Sequence, residues 1–139
     1  MILIVHCDGG ARGNPGPAAI GVTIEDAQGK LIHQFGKRIG ETTNNVAEYT
    51  AVIEALDYIA KELHVGKQDS ISFHLDSQLV VSQLNGIYRV KDPKLRMLLL
   101  RVREKEGVLG IPISYRHIPR EQNRGADKMV NAALDNSPA

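Results

Sequence analysis

The chain carries its apolar residues in short runs near the start and at helical spacing further on. The early runs predict a meander of antiparallel strands, because the connections between them are short. These strands span residues 2–7, 18–25 and 31–39, with a turn at 26–29. Apolar positions at a period near 3.6 then predict a helix that begins at Asn44 or Asn45, either of which can cap it, and ends near Leu63.

The second half of the chain alternates strands with helices. In order, the predicted elements are a strand at 70–75, a short helix capped by Ser77, a helix at 94–105 ended by Gly107 and Gly110, a strand at 111–118, a polar loop at 119–125 and a helix at 126–134 with a frayed tail. Strands followed by helices imply right-handed crossovers and parallel pairing. The pattern therefore predicts one α/β domain over residues 1–139, with a mixed sheet and helices on its faces.

Charge and cysteine content narrow the class of protein. The net charge of +1 excludes a strongly basic protein, so a nucleic-acid partner would be held by local patches of cations. The single cysteine, Cys7, forbids an internal disulfide and is typical of a reducing compartment. No segment has the length and flanking charge of a signal peptide or the length of a membrane span. We therefore expect a cytoplasmic protein that does not bind a membrane.

Four acidic residues lie at the ends of predicted strands or the starts of predicted helices. Asp8 follows the first strand in a glycine-rich segment, and Asp76 follows the fourth strand directly. If these strands are parallel neighbours, both side chains lie at the edge where α/β sheets bind ligands. Glu48 and Asp127, each near a helix start, can join them. Each carboxylate alone could be a turn or cap residue, but the four together indicate a site for hard divalent cations, which relieve the repulsion between them.

Four motifs in order extend this interpretation. They are Asp8-Gly9-Gly10 with Gly13-Asn14-Pro15-Gly16, then Thr43-Asn44-Asn45-Val46-Ala47-Glu48, then Asp76-Ser77-Gln78, then Asn123 and Asp127. Together they resemble the type 1 ribonuclease H family over nearly the whole chain. The resemblance implies a five-stranded mixed sheet of order 3-2-1-4-5, with strand 2 antiparallel. It also implies hydrolysis of the RNA strand of RNA–DNA hybrids, which leaves 5′-phosphate and 3′-hydroxyl ends.

The same resemblance implies two Mg²⁺ ions held by the four carboxylates, and we expect Mn²⁺ to substitute. In this assignment Asp8 bridges both ions, and Asp127 serves the ion that activates water. Glu48 and Asp76 serve the ion that stabilises the leaving 3′ oxygen. Two ions in such a site clamp the attacking and leaving oxygens of a phosphodiester, which is chemistry that carboxylate ligands support.

Substrate contacts are also assigned by resemblance. The residues expected to face the minor groove of the hybrid, through backbone or side chain, are Gly9, Gly10, Ala11, Asn14, Asn44, Asn45 and Gln78. Thr43 is assigned to a phosphate of the DNA strand. The 2′-hydroxyl, which both donates and accepts hydrogen bonds, distinguishes RNA from DNA in such a groove. The alternative for Asn44 and Asn45 is that they only cap the helix, although capping and binding are compatible.

Two segments depart from the family pattern. The connector at 85–93 is too short for the basic helical insertion of some members, and we expect no added hybrid-binding domain. Affinity for a hybrid would then rest on scattered cations, unless these only form a solvated face: Arg89, Lys91, Lys94 and Arg96. Some members also carry a histidine that assists turnover in a loop before the fourth carboxylate. Here His117 and Arg120 are both candidates, and the loop position favours Arg120.

Three functions are compatible with these residues. The first is a hydrolase, an endonuclease that acts on RNA–DNA hybrids as a monomer without an obligate protein partner. The second is a two-metal DNA nuclease of the same fold, against which the groove-facing asparagines argue. The third is a hybrid-binding module without turnover, against which the four intact carboxylates argue. We favour the first.

Overall fold

A computed structural model of the chain describes residues 1–136. Its strands are β1 Ile2–Ala11, β2 Gly16–Glu25, β3 Leu31–Thr42, β4 Ser70–Leu75 and β5 Ile113–His117. Its helices are α1 Asn44–Glu62, α2 Gln78–Leu84, α3 Pro93–Leu109 and α4 Arg124–Asp135, with a 3₁₀ turn at Arg120–Gln122. No helix among the described residues is both long and apolar enough to cross a membrane.

The five strands form one mixed sheet in the order β3-β2-β1-β4-β5. β2 pairs antiparallel with both β1 and β3, whereas β1, β4 and β5 are parallel neighbours. The predicted strand order and mixed pairing are therefore confirmed. Because β1 and β4 lie side by side and run the same way, Asp8 and Asp76 are brought to the same end of the sheet.

Helices pack on both faces of this sheet, as predicted. Alternate residues of β1 point to opposite faces. A Cβ at Gly9 would overlap the backbone of Ala47 in α1, whereas a Cβ at Gly10 would contact Val130 in α4. The main core lies on the α1 face, where apolar side chains from β1, α1 and β4 are fully buried. They include Leu3, Val5, Leu56, Ile59 and Phe73.

β1 is longer than the sequence predicts. The strand was expected to stop before Asp8, but it continues to Ala11, because β2 pairs with it as far as Ala11 and Ala18. Asp8 therefore lies within a strand, opposite Gly21, and not at its end. The absence of a side chain at Gly9 allows α1 to approach the strand closely, so this glycine serves packing and not a turn.

Several other boundaries also differ from the prediction. The corrected ends are Gly16 of β2, Thr42 of β3, Ile113 and His117 of β5, and Arg124 and Asp135 of α4. Gly107 does not end α3, which continues to Leu109 and stops where Gly110 adopts a left-handed φ of 62°. The start of the expected frayed tail is helical, and residues 137–139 lie outside the described part of the chain.

Candidate metal centre and nucleic-acid interface

Three of the four predicted carboxylates converge at one end of the sheet. Asp8 comes from β1, Glu48 from the start of α1 and Asp76 from the junction of β4 and α2. Each offers a carboxylate oxygen, and these oxygens lie within 4.8 Å of one another. Asp8 and Glu48 are buried, with 8% and 5% of their surface exposed, and Asp76 is partly buried. Such a group of oxygens can hold a metal ion.

Asp127 faces the same site from α4, which packs on the face of the sheet opposite α1. It lies in the first turn of α4 and lines, with the other three carboxylates, an open cleft of about 390 Å³. α4 is held at this position because it crosses β2 at Gly21, where a Cβ would overlap the carbonyl of Ala126. The four predicted carboxylates therefore line one cleft, although Asp127 lies outside the tight group of three.

Burial and mutual repulsion raise the pKa values of two of these carboxylates. Burial, followed by the charges of Asp76 and Asp127, raises the pKa of Asp8 to about 7. Burial and then the charge of Asp8 raise the pKa of Glu48 well above its usual range. The backbone N–H of Gly9 donates to Glu48 Oε1 at 3.2 Å, but the buried Oε2 has no hydrogen-bond partner among the described residues. A hard divalent cation would satisfy this oxygen and offset the repulsion, so the donor set fits such an ion.

Asn123 holds Asp76 in place. Its side chain is fully buried, and its Nδ2 donates to the carbonyl of Cys7 at 2.9 Å and to Asp76 Oδ2 at 3.0 Å. It therefore ties a carboxylate of the site to the backbone of β1. Asn123 belongs to a predicted motif but had no predicted role, because its burial follows from the approach of α4 to β1 and not from any local pattern.

The loop after β1 is tied to the start of α1. The backbone N–H of Asn44 donates to Asn14 Oδ1 at 3.0 Å, and the backbone N–H of Ala11 donates to Asn44 Oδ1 at 2.8 Å. These two bonds hold the backbone of the predicted minor-groove contacts in a defined position. The predicted contacts that line the cleft are Gly9, Gly10, Ala11, Asn44 and Asn45.

Thr43 is the residue that caps α1. Its backbone is extended and its hydroxyl accepts from the N–H of Val46 at 3.3 Å. The prediction that Asn44 or Asn45 caps this helix was wrong, because both lie inside its first turn. The side chain of Asn44 is engaged by Ala11, so the cap-only alternative for this asparagine is also excluded.

Other predicted residues lie away from the cleft or at its rim. Gln78 is exposed at the start of α2, beside Ser77, whose hydroxyl accepts from Val80 N–H and caps the helix as predicted. His117 is the exposed last residue of β5 and is not among the described residues that line the cleft. Arg120 does line it. Of the two residues predicted to assist turnover, the structure therefore places Arg120 at the cleft.

Comparison with known proteins adds to this geometry. A family model described as "Reverse transcriptase-like" matches residues 6–133. The chain is 43% identical over 133 residues to Ribonuclease HI of Halobacterium salinarum, which covers 95% of this chain and 64% of that protein. The crystal structure of RNase H1 from the same archaeon matches with a TM-score of 0.91 and 39% identity, covering 99% of this chain and 100% of that chain. This chain belongs to the type 1 ribonuclease H family.

A second ribonuclease H structure also matches closely. LC11-RNase H1 in complex with an RNA/DNA hybrid aligns with a TM-score of 0.88 and 42% identity, covering 96% of each chain. The predicted fold is therefore confirmed, because it matches the fold of solved RNase H1 structures. The chain spans 64% of the length of the Halobacterium protein, so that relative contains residues with no counterpart here.

The scattered cations of the connector and α3 are not among the described residues that line the cleft. Arg89 and Lys91 are exposed in the connector, and Lys94 is exposed in the first turn of α3. The guanidinium of Arg96 donates to the carbonyl of Val90 through Nε and Nη2, both at 3.3 Å. Arg96 is therefore partly engaged in local structure, which leaves Arg89, Lys91 and Lys94 as the better candidates for contacts with nucleic acid outside the cleft.

One cation of the cleft was not among the predicted site residues. Arg12 lines the cleft, and its Nη2 lies 2.6 Å from Asp135 Oδ1 in the last turn of α4. A lone arginine in a glycine-rich segment next to the predicted groove contacts was the available signal. Its distant partner could not be identified from local spacing.

Proposed function

We propose that this chain is an endonuclease that hydrolyses the RNA strand of RNA–DNA hybrids and leaves 5′-phosphate and 3′-hydroxyl ends. The observation that carries the proposal is the convergence of Asp8, Glu48 and Asp76 in a cleft that Asp127 also lines, within a type 1 ribonuclease H fold. The hybrid in the matched LC11-RNase H1 structure supports the choice of substrate. We also propose that residues 1–139 act as a single catalytic domain and as a monomer. The cytoplasmic location stays a prediction.

The proposed cofactor is a pair of Mg²⁺ ions, with Mn²⁺ as a substitute. Asp8 belongs to the tight group with Glu48 and Asp76, and it is also close enough to Asp127 for the charge of that residue to raise its pKa. It is therefore the carboxylate best placed to serve two ions. When bound, such ions supply the charge that activates the attacking water and stabilises the leaving oxygen of a phosphodiester.

Neighbouring residues orient the metal-binding carboxylates and the substrate. Asn123 fixes one oxygen of Asp76, and the N–H of Gly9 fixes one oxygen of Glu48, so the other oxygen of each carboxylate is left to bind an ion at the cleft that both residues line. Asn44 holds the backbone at Ala11 beside the cleft, where a minor groove with 2′-hydroxyls can approach. Gln78 and Thr43 remain assigned as substrate contacts by resemblance, at the periphery of the site.

A cleavage assay with four labelled substrates tests the proposal. With Mg²⁺, the protein should cut the RNA strand of a hybrid internally and leave single-stranded RNA, duplex RNA and duplex DNA essentially intact. Asp127→Asn serves as the inactive control, since Asp127 is only partly buried and its replacement preserves side-chain size. Comparable cutting of duplex RNA would contradict the proposed specificity. Cutting of duplex DNA would support the DNA nuclease, and binding of the hybrid without any cutting would support the binding module.

A further inference from the structure

Arg12 lies beside the predicted minor-groove contacts, and its charge is paired with a carboxylate at the far end of the chain. Arg12 follows Ala11 directly and lines the same cleft as the four carboxylates. Among the described residues, the cations that line this cleft are Arg12 and Arg120. The guanidinium of Arg12 is bound to Asp135, the last residue of α4. A cleft rich in carboxylates needs such cations to bind a polyanionic substrate.

The backbone that carries Arg12 is held firmly. Its N–H donates to the carbonyl of Pro17 at 2.8 Å, and a Cβ at Gly16 would overlap its carbonyl, so the two sides of the loop are in close contact. Ala11, the preceding residue, is held by Asn44. The arginine side chain therefore starts from a fixed point at the edge of the cleft, which reduces the entropy lost when it binds a ligand.

The bond between Arg12 and Asp135 is of a kind that a phosphate can replace. Both side chains are well exposed, at 50% for Arg12 and 65% for Asp135. Ion pairs between exposed side chains contribute little stability, because water competes for both charges. The carboxylate of Asp135 also lies at the negative end of the α4 dipole, which disfavours it there. A guanidinium binds a phosphate through two parallel hydrogen bonds, so a nucleic-acid backbone can displace this carboxylate.

We propose that Arg12 binds a phosphate of the hybrid substrate. In the free protein Asp135 forms an ion pair with the same guanidinium, and it therefore competes with the substrate. This inference rests on the proposed function and adds a binding residue to that site. One measurement distinguishes this proposal from a purely structural role of the Arg12–Asp135 ion pair. If the pair only anchored α4 to the loop, loss of either partner would affect substrate binding in the same direction. If Asp135 competes with the phosphate, the two losses act in opposite directions.

The test compares Arg12→Gln, Asp135→Asn and the double variant by steady-state cleavage of a hybrid in Mg²⁺ at several salt concentrations. Loss of Arg12 should raise KM about fivefold to tenfold with kcat unchanged, because a phosphate contact remote from the reacting bond binds ground and transition states equally. The slope of log KM against log salt should fall by about 1. Asp135→Asn should lower KM by up to about fivefold, the factor that an exposed ion pair can contribute. In the Arg12→Gln background it should have no effect.

Arg38→Ala is the matched control for loss of a cation. Arg38 Nη1 donates to the carbonyl of Asn136 at 3.4 Å, so it also contacts the end of α4, but it is not among the described residues lining the cleft. It should leave KM and the salt slope unchanged. Thermal melts should show all variants folded, and Asp135→Asn, a substitution at an exposed position, carries the test alone if Arg12→Gln does not fold.

The outcomes separate this inference from the function on which it rests. A parent that cuts hybrids while Arg12→Gln keeps the parental KM and salt slope overturns the inference alone. A rise of KM in both single variants also overturns it, because that is the result of a structural anchor. A parent that cuts no hybrid overturns the proposed function together with the inference.

Discussion

Asp8 contributes a buried charge that destabilises the metal-free protein at neutral pH. Its pKa is raised to about 7, mainly by burial, whereas an unfolded chain has a value of about 4. Between these two pH values the folded protein retains a proton that the unfolded chain releases. The stability from that proton is fully present below about pH 4 and is lost as the pH rises to about 7. Burial of this carboxylate, together with repulsion from Asp76 and Asp127, therefore weakens the metal-free fold at neutral pH.

Asp8→Asn should stabilise the metal-free protein at pH 7 and abolish most of its activity. The amide keeps the shape of the side chain and removes the charge, so the free energy of unfolding in chelator should rise by roughly 1 to 2 kcal/mol. The gain over the parent should grow from about pH 4 to about pH 7 and then level off. Thermal melts in chelator across this range measure it.

Magnesium provides the control for this experiment. Binding to the folded state alone adds RT ln(1 + [L]/Kd) to stability, so Mg²⁺ should stabilise the parent more than Asp8→Asn. If Asp8 were only a turn residue, its loss would instead cost up to about 1 kcal/mol and Mg²⁺ would make no difference. An Asn variant that is less stable, indifferent to Mg²⁺ and still active would show that the site has been misplaced.

Asn123→Ala should weaken metal binding as well as the fold. The substitution removes the donor to Asp76 Oδ2 and leaves the buried carbonyl of Cys7 without this partner, so stability should fall by about 1 to 3 kcal/mol. Mg²⁺ affinity, measured by calorimetric titration, should fall roughly tenfold to a hundredfold, as for other residues that orient metal ligands.

Gln83→Ala is the matched control for Asn123. Gln83 is also buried and accepts a hydrogen bond from the hydroxyl of Tyr49 at 2.8 Å, but it is not among the described residues that line the cleft. Its loss should lower stability with little change in Mg²⁺ affinity. Equal Mg²⁺ affinities in the parent and Asn123→Ala would mean that Asn123 serves packing alone.

At the scale of elements, α3 illustrates how tertiary packing overrides a local helix breaker. Gly107 was expected to end this helix, yet it lies inside it, because Leu95, Leu98 and Val102 bury one face of α3 in the core. The glycine penalty is small beside the burial of such side chains, which contribute about 1.5 to 3 kcal/mol each. The helix ends only where the backbone changes conformation at Gly110.

Gly107→Ala should therefore stabilise the protein by roughly 0.5 to 1 kcal/mol, since alanine is the better helix former. The position is exposed and a Cβ there would meet nothing within 4 Å. Gly110→Ala is the contrasting variant, and its positive φ should make it destabilising by about 1 kcal/mol or more. Chemical denaturation measures both, and a destabilised Gly107→Ala would indicate strain in the last turns of α3.

At the scale of the whole molecule, the distribution of charge governs encounter with a polyanion. The net charge is only +1, and the four carboxylates of the cleft oppose nucleic acid until cations neutralise them. Binding of a hybrid should therefore be weak and sensitive to salt, with cations outside the cleft supplying part of the attraction.

Lys91→Ala combined with Lys94→Ala should lower hybrid affinity and reduce the slope of log K against log salt by up to about 2, since each phosphate that a lysine no longer neutralises accounts for about one unit. Lys30→Ala with Lys67→Ala is the control pair. Lys30 precedes β3 and Lys67 precedes β4, at the end of the sheet away from the cleft. Binding assays at several salt concentrations measure the slopes, and an unchanged slope would place Lys91 and Lys94 on a plain solvated face.

The types of the main elements and the family were predictable from the sequence, and the strand order followed from the resemblance to that family. Period-2 and period-3.6 patterns depend on neighbouring residues, and four spaced motifs identify the carboxylates Asp8, Glu48, Asp76 and Asp127. The cap at Ser77 was also readable, since an N-cap needs only a hydroxyl at the right place before a helix. The periodic patterns, each motif and the cap depend on residues close together in the chain, so the sequence was sufficient to predict them.

Tertiary contacts set the length of β1, the burial of Asn123 and the partner of Arg12. β1 continues through Asp8 because β2 returns alongside it, and glycine is required at position 9 because α1 packs there. Asn123 and Asp135 meet the β1 region only because α4 crosses the sheet on that face. The contacts of Asn123 with Cys7 and of Arg12 with Asp135 join segments more than 100 residues apart, and their energies depend on burial and geometry that no local pattern contains.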